Sequence, residues 1–106
     1  MSSLSLTPLP NLSVRPQPET WCFAVQGEAS SGHMARVLEL FAKRNLVPTR
    51  WHSDVIVAPA RDGGLATLQI DIQMEGMEAE LAAYVARCLR QIYGVDSVLT
   101  STKTAG

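Results

Sequence analysis

Cysteine is scarce in this chain of 106 residues: there are two, Cys22 and Cys88, far apart and with neither a CxxC partner nor a histidine at ligand spacing. A disulfide framework and a zinc site are thereby excluded, and the pair reads as two buried thiols in a reducing compartment. No apolar run approaches the ~18 residues of a membrane span, and the first residues lack a basic stretch followed by an apolar one. The expectation is a cytoplasmic protein with no membrane partner. Runs of like charge are missing and the formal net charge is −1, so there is no basic field for nucleic acid. The glycine patterns of P-loops and dinucleotide folds are absent as well.

Reaction chemistry is equally thin. His33 and His52 stand alone, without a cysteine, a second histidine or paired carboxylates at metal spacing, and read as surface or interface histidines. His52-Ser53-Asp54 is adjacency rather than a triad, because alternating strand faces separate neighbouring side chains. Asp71 and Glu75 have no second carboxylate held against them. No catalytic residue, metal ligand or cofactor is assigned, and a binding or regulatory module is expected before an enzyme.

One compact domain fits this length. Residues 1–20 form a proline-containing arm, with Pro8, Pro10, Pro16 and Pro18 breaking any helix. It is either an extended tail or, through Leu4, Leu6, Leu9, Leu12 and Val14, a segment that packs on a partner. The folded unit, residues 21–106, opens on a strand with Trp21, Phe23 and Val25 on one face and Cys22, Ala24 and Gln26 on the other. A helix follows, with Met34, Val37, Leu38 and Phe41 as its apolar stripe and a favourable Glu39–Lys43 pair. Ser30 and Ser31 are its capping residues, and Asn45 suits the left-handed residue that ends it.

A second strand runs from about Pro48 to Ala58, and Asp62-Gly63 marks a turn. The third strand is the clearest, with Ala66, Leu68, Ile70, Ile72 and Met74 alternating with Thr67, Gln69, Asp71 and Gln73. A second helix spans about Met77 to Tyr93, burying Leu81, Val85, Cys88, Leu89 and Ile92, with Gly94 as its C′ residue and a short last strand after it. The order βαββαβ predicts an α+β, ferredoxin-like sandwich: a four-stranded antiparallel sheet with two helices on one face.

Two features stay open at this level. Gly32 is either a turn glycine for close packing or a floor that lets an anionic ligand reach the first amides of the helix. Trp51 belongs either to the core or to a protein–protein surface.

The stretch Ser31-Gly32, then Arg36-Val37-Leu38-Glu39-Leu40-Phe41-Ala42-Lys43-Arg44, then Val57-Ala58-Pro59 with Asp62, and finally Leu89-Arg90-Gln91-Ile92-Tyr93-Gly94-Val95, resembles an ACT domain, the small regulatory module of amino-acid metabolism. The resemblance covers about Trp21 to Lys103 and is nearest to the small regulatory subunit of acetolactate synthase. It implies a homodimer and a feedback amino acid, of the branched-chain kind, held between the glycine turn of one protomer and the start of strand two in another. Gly32 would then give backbone approach, Ser30 and Ser31 polar contacts, His33 and Met34 helix-start amides, and Leu46 and Val47 the opposing wall. It also implies allosteric control of a catalytic large subunit that carries the thiamine cofactor and the chemistry. The alternative is a ligand-free interaction module that stabilises or docks on a partner enzyme.

Overall fold

Strict alternation along one segment sets the middle of the molecule. In a computed structural model that describes residues 19–57 and 65–103, strand β3 (Ala66–Met77) buries Leu68, Ile70, Ile72 and Met74 and turns the residues between them the other way. Strand β1 (Glu19–Glu28) lies beside it and contributes Phe23 and Val25 to the same face. The other elements are α1 (Ser31–Lys43), β2 (Arg50–Val57), α2 (Ala79–Arg90) and β4 (Val95–Lys103). The sheet order is β2-β3-β1-β4, with every neighbouring pair antiparallel. Both helices bury one side in the core that these strand residues form, so the expected ferredoxin-like βαββαβ sandwich is the fold observed.

The first strand starts at Glu19, so only Glu19 and Thr20 of the expected arm are described, and both are already strand. The Asp62-Gly63 turn lies outside the described residues, as does Ala58 at the expected end of the second strand.

Both helices are rotated relative to the stripes read from sequence. In α1 the buried row is His33, Val37, Leu40 and Phe41, while Leu38 is 51% exposed and Met34 half-buried. A histidine inside the row hides it, because helical periodicity counts histidine as polar. In α2 the buried row is Ala82, Val85, Ala86 and Leu89, and Leu81, 37% exposed, lies outside it. Two alanines let this helix sit close on the sheet. Phe23 and Phe41 meet edge to face, with ring centroids 6.2 Å apart, and tie α1 to the central strand.

The ends follow ordinary capping chemistry. Ser30 caps α1, and Asn45 after its last turn has φ 57°, as its residue type predicts. Helix α2 stops at Arg90, three residues before the expected end. Gly94 is therefore not its C′ residue. It takes φ 98° in the turn that feeds β4. Trp51 pairs with Ile72 across the β2–β3 ladder and so shares its face; it packs against the core rather than the open side of the sheet.

Candidate functional site

The end of β1 and the start of α1 form one tight hydrogen-bonded bend. The Ser30 amide donates to the Glu28 carbonyl at 2.9 Å. Ser30 Oγ accepts from the His33 amide at 3.2 Å and donates to Glu28 Oε1 at 3.4 Å. The Met34 amide donates to the Ser30 carbonyl at 3.3 Å. His33 and Met34 therefore do not offer their amides to a ligand, contrary to the role expected of them. Among the described residues the helix-start donors left over are the amides of Ser31 and Gly32.

His33 is not a surface histidine either. Its side chain is fully buried, and Nδ1–H donates to the Glu28 carbonyl at 2.7 Å. The ring faces Gly27, where a Cβ would collide with the Gly94 carbonyl oxygen and come within 2.6 Å of His33 Cε1. Gly27, not Gly32, is thus the glycine whose missing side chain permits close packing. Gly32 has ordinary helical backbone and is exposed; a Cβ there would meet only the Arg36 guanidinium, at 3.2 Å from Nη1. Its bareness leaves the first amides of α1 open to approach.

Beside this bend lies a groove of about 430 Å³ lined by Ala29, Ser30, Ser31, Met34, Ala35, Leu38, Val55 and Leu68. It brings together Ser30, Ser31 and Met34 from the expected set. Its apolar half, Leu38 and Val55 with Leu68 behind them, went unread in the sequence. The signal for it is the β2–β3 register, which places Val55 opposite Leu68, and the outward rotation of Leu38.

Leu46 and Val47 lie at the other end of α1. The helix has 13 residues, about 20 Å at ~1.5 Å per residue. Leu46 donates its amide to the Phe41 carbonyl at 2.9 Å and packs on the core, whereas Val47 is 79% exposed. One chain does not bring these two to the Ser30–Met34 bend.

The open face of the sheet holds a second depression, about 610 Å³, bordered by Cys22, Ala24, Arg50, His52, Asp71 and Leu99 among others. His52 Nε2–H donates to Asp54 Oδ2 at 2.9 Å, so these two residues, unlike Ser53 between them, share a face and meet. Cys22 and Cys88 are both half-buried free thiols rather than fully buried ones. Among the described residues no group of metal-binding side chains converges, and no helix is long and apolar enough to cross a membrane.

No family model matches the chain, and no curated protein does. Solved structures do. The ACT domain from GTP pyrophosphokinase of Chlorobium tepidum matches with a TM-score of 0.58 at 11% identity, over 79% of this chain and 99% of that one. The fold is the one that ACT domain has. The C-terminal domain of the MgtC protein from Mycobacterium tuberculosis matches with a TM-score of 0.56 at 11% identity, covering 84% of this chain and 92% of its own. The PII protein of Arabidopsis thaliana, in its citrate-bound structure, gives 0.58 at 8% identity over 81% and 78% of the two chains. At these identities the likeness is one of architecture.

Proposed function

We propose that this chain is an ACT-type regulatory module that responds to a small amino acid and serves as an accessory subunit of an amino-acid biosynthetic enzyme, with acetolactate synthase the nearest candidate. The observation that carries the reading is the groove at the start of α1, where Ser31, whose amide is unused, lines an apolar trough and the unused amide of Gly32 follows it on the helix. A carboxylate suits the amides and the positive end of the helix dipole. An aliphatic side chain suits Met34, Ala35, Leu38 and Val55, which favours a branched-chain ligand. A homodimer would add Leu46 and Val47 of a second copy as the far wall, so that binding ties two protomers together. Coupling to a catalytic subunit then follows from the ligand's preference for the joined state. The thiamine cofactor and the reaction belong to that partner.

Titration calorimetry with valine, leucine, isoleucine and a panel of other amino acids tests this, alongside light scattering with and without ligand. Saturable heat with an aliphatic amino acid, lost in Gly32→Val, is the expected outcome.

A second reading has its own support. Ala29 and Val47 carry no side-chain oxygen for a ligand ammonium, and Ser30 Oγ is already bonded to the His33 amide and to Glu28. On that reading the module binds no effector and only docks on or stabilises its enzyme. Absence of heat with every amino acid, together with co-purification of a larger enzyme, would decide for it.

A further inference from the structure

The seam between α1 and α2 carries a feature that the amino-acid site does not use. Two guanidiniums lie over one ring: Arg44 at 5.5 Å and Arg87 at 5.9 Å from the centroid of Tyr84. Arg44 is pinned further, with Nη1 donating to the Leu40 carbonyl at 3.0 Å and Nη2 to the Tyr84 hydroxyl at 3.4 Å. Two turns back along α1, the Arg36 guanidinium lies 5.8 Å from the Tyr93 ring centroid and donates to the Tyr93 carbonyl at 3.1 Å. Cation–π contact and these hydrogen bonds hold the arginines in place without neutralising them.

Positive groups outnumber carboxylates on this layer. The helices and their caps carry Arg36, Lys43, Arg44, Arg87 and Arg90 against Glu39, Glu78 and Glu80. Glu39 is already paired with Lys43 at 3.7 Å, and among the described residues the remaining close carboxylate contact is the His52–Asp54 hydrogen bond on the sheet. No described carboxylate therefore pairs with an arginine of the helical layer. The whole chain is at −1, so this positive side is balanced by carboxylates elsewhere on the molecule. Tyr84 and Tyr93 are 41% and 79% exposed beside it. Arginine and tyrosine are residue types that dominate binding energy at protein interfaces.

We infer that the α1–α2 face, centred on Arg44, Tyr84 and Arg87, docks a carboxylate-rich surface of a partner protein. Pre-positioned guanidiniums suit the planar, two-oxygen geometry of Asp and Glu side chains. The near-neutral chain lacks the extended basic field that duplex DNA requires, and the patch is compact rather than the lysine-rich spread that suits an anionic bilayer. The inference does not depend on whether an amino acid binds at the start of α1, because its test reads a different face.

The test is fluorescence anisotropy with a labelled polyglutamate peptide of about 15 residues against a polyglutamine control, at about 50 and 300 mM NaCl. Expected is saturable, salt-sensitive binding of polyglutamate alone, weakened about tenfold in Arg44→Ala/Arg87→Ala and unchanged in Arg50→Ala on the opposite face. Tyr84→Ala, which keeps both charges but removes their platform, should also weaken it, and Arg44→Lys/Arg87→Lys should restore it only in part. Circular dichroism checks that each variant is folded. Equal binding of polyglutamine, an equal loss in Arg50→Ala, or tighter binding of short duplex DNA or phosphatidylserine vesicles would overturn the proposal.

Discussion

At the scale of single residues, two glycines divide packing from approach. Gly27 sits where any side chain would strike the Gly94 carbonyl and the buried ring of His33. Gly27→Ala should therefore destabilise by about 1–3 kcal/mol through overpacking, read as a lower urea midpoint at unchanged slope. Gly32→Ala meets only the flexible end of Arg36, in a helix where alanine is preferred over glycine. It should leave stability unchanged or raise it by up to about 1 kcal/mol, while weakening any ligand held on the first amides. A loss of stability in Gly32→Ala would show that the position serves packing after all. Ser30→Ala removes the oxygen that accepts from the His33 amide, and should cost about 1 kcal/mol of stability in thermal or urea unfolding.

At the scale of elements, the rotation of the helices makes a sharp contrast between neighbours. Leu40 is 7% exposed and Leu38 is 51% exposed, two residues apart on α1. Leu40→Ala should cost about 2–5 kcal/mol through lost burial and the cavity left behind. Leu38→Ala should stay within about 0.5 kcal/mol and instead trim the groove beside Val55. Equal losses in chemical denaturation would place Leu38 in the core alongside Leu40. The groove itself belongs to no single element. It exists because β2 lies on the outer side of β3 in a register that brings Val55 opposite Leu68, facing the outward side of α1.

At the scale of the whole molecule, the sheet ends, among the described residues, in two edge strands, β2 and β4. Val55, Ile56 and Val57 on β2 are 62%, 49% and 66% exposed, an apolar edge of the kind that proteins cover with a partner or block with charge. For the proposed homodimer, Ile56→Lys should shift the mass in light scattering toward the monomer while circular dichroism stays unchanged. An unaltered dimer mass would remove this edge from the interface. The helical layer carries an excess of positive groups, whereas the sheet's open face mixes Asp54 and Asp71 with Arg50 and His52.

Much of this was legible in the chain itself. Alternation of period two in Ala66–Met74 and the amphipathic runs around Val37 and Val85 follow from backbone geometry alone, so element type, order and the βαββαβ architecture could be read off. Serine at position 30 and asparagine at position 45 are local choices made by local backbone chemistry, and both appear where expected. Strand pairing and helix rotation are set by contacts distant in sequence, and these only the tertiary structure decided. They buried His33 beneath Gly27, turned Leu38 outward, kept Leu81 out of the buried row, placed Trp51 against the core, and let the cap at Ser30 occupy amides that the sequence left for a ligand. A residue's type sets which partners it can accept, but its distance from them is settled when the layers close on one another.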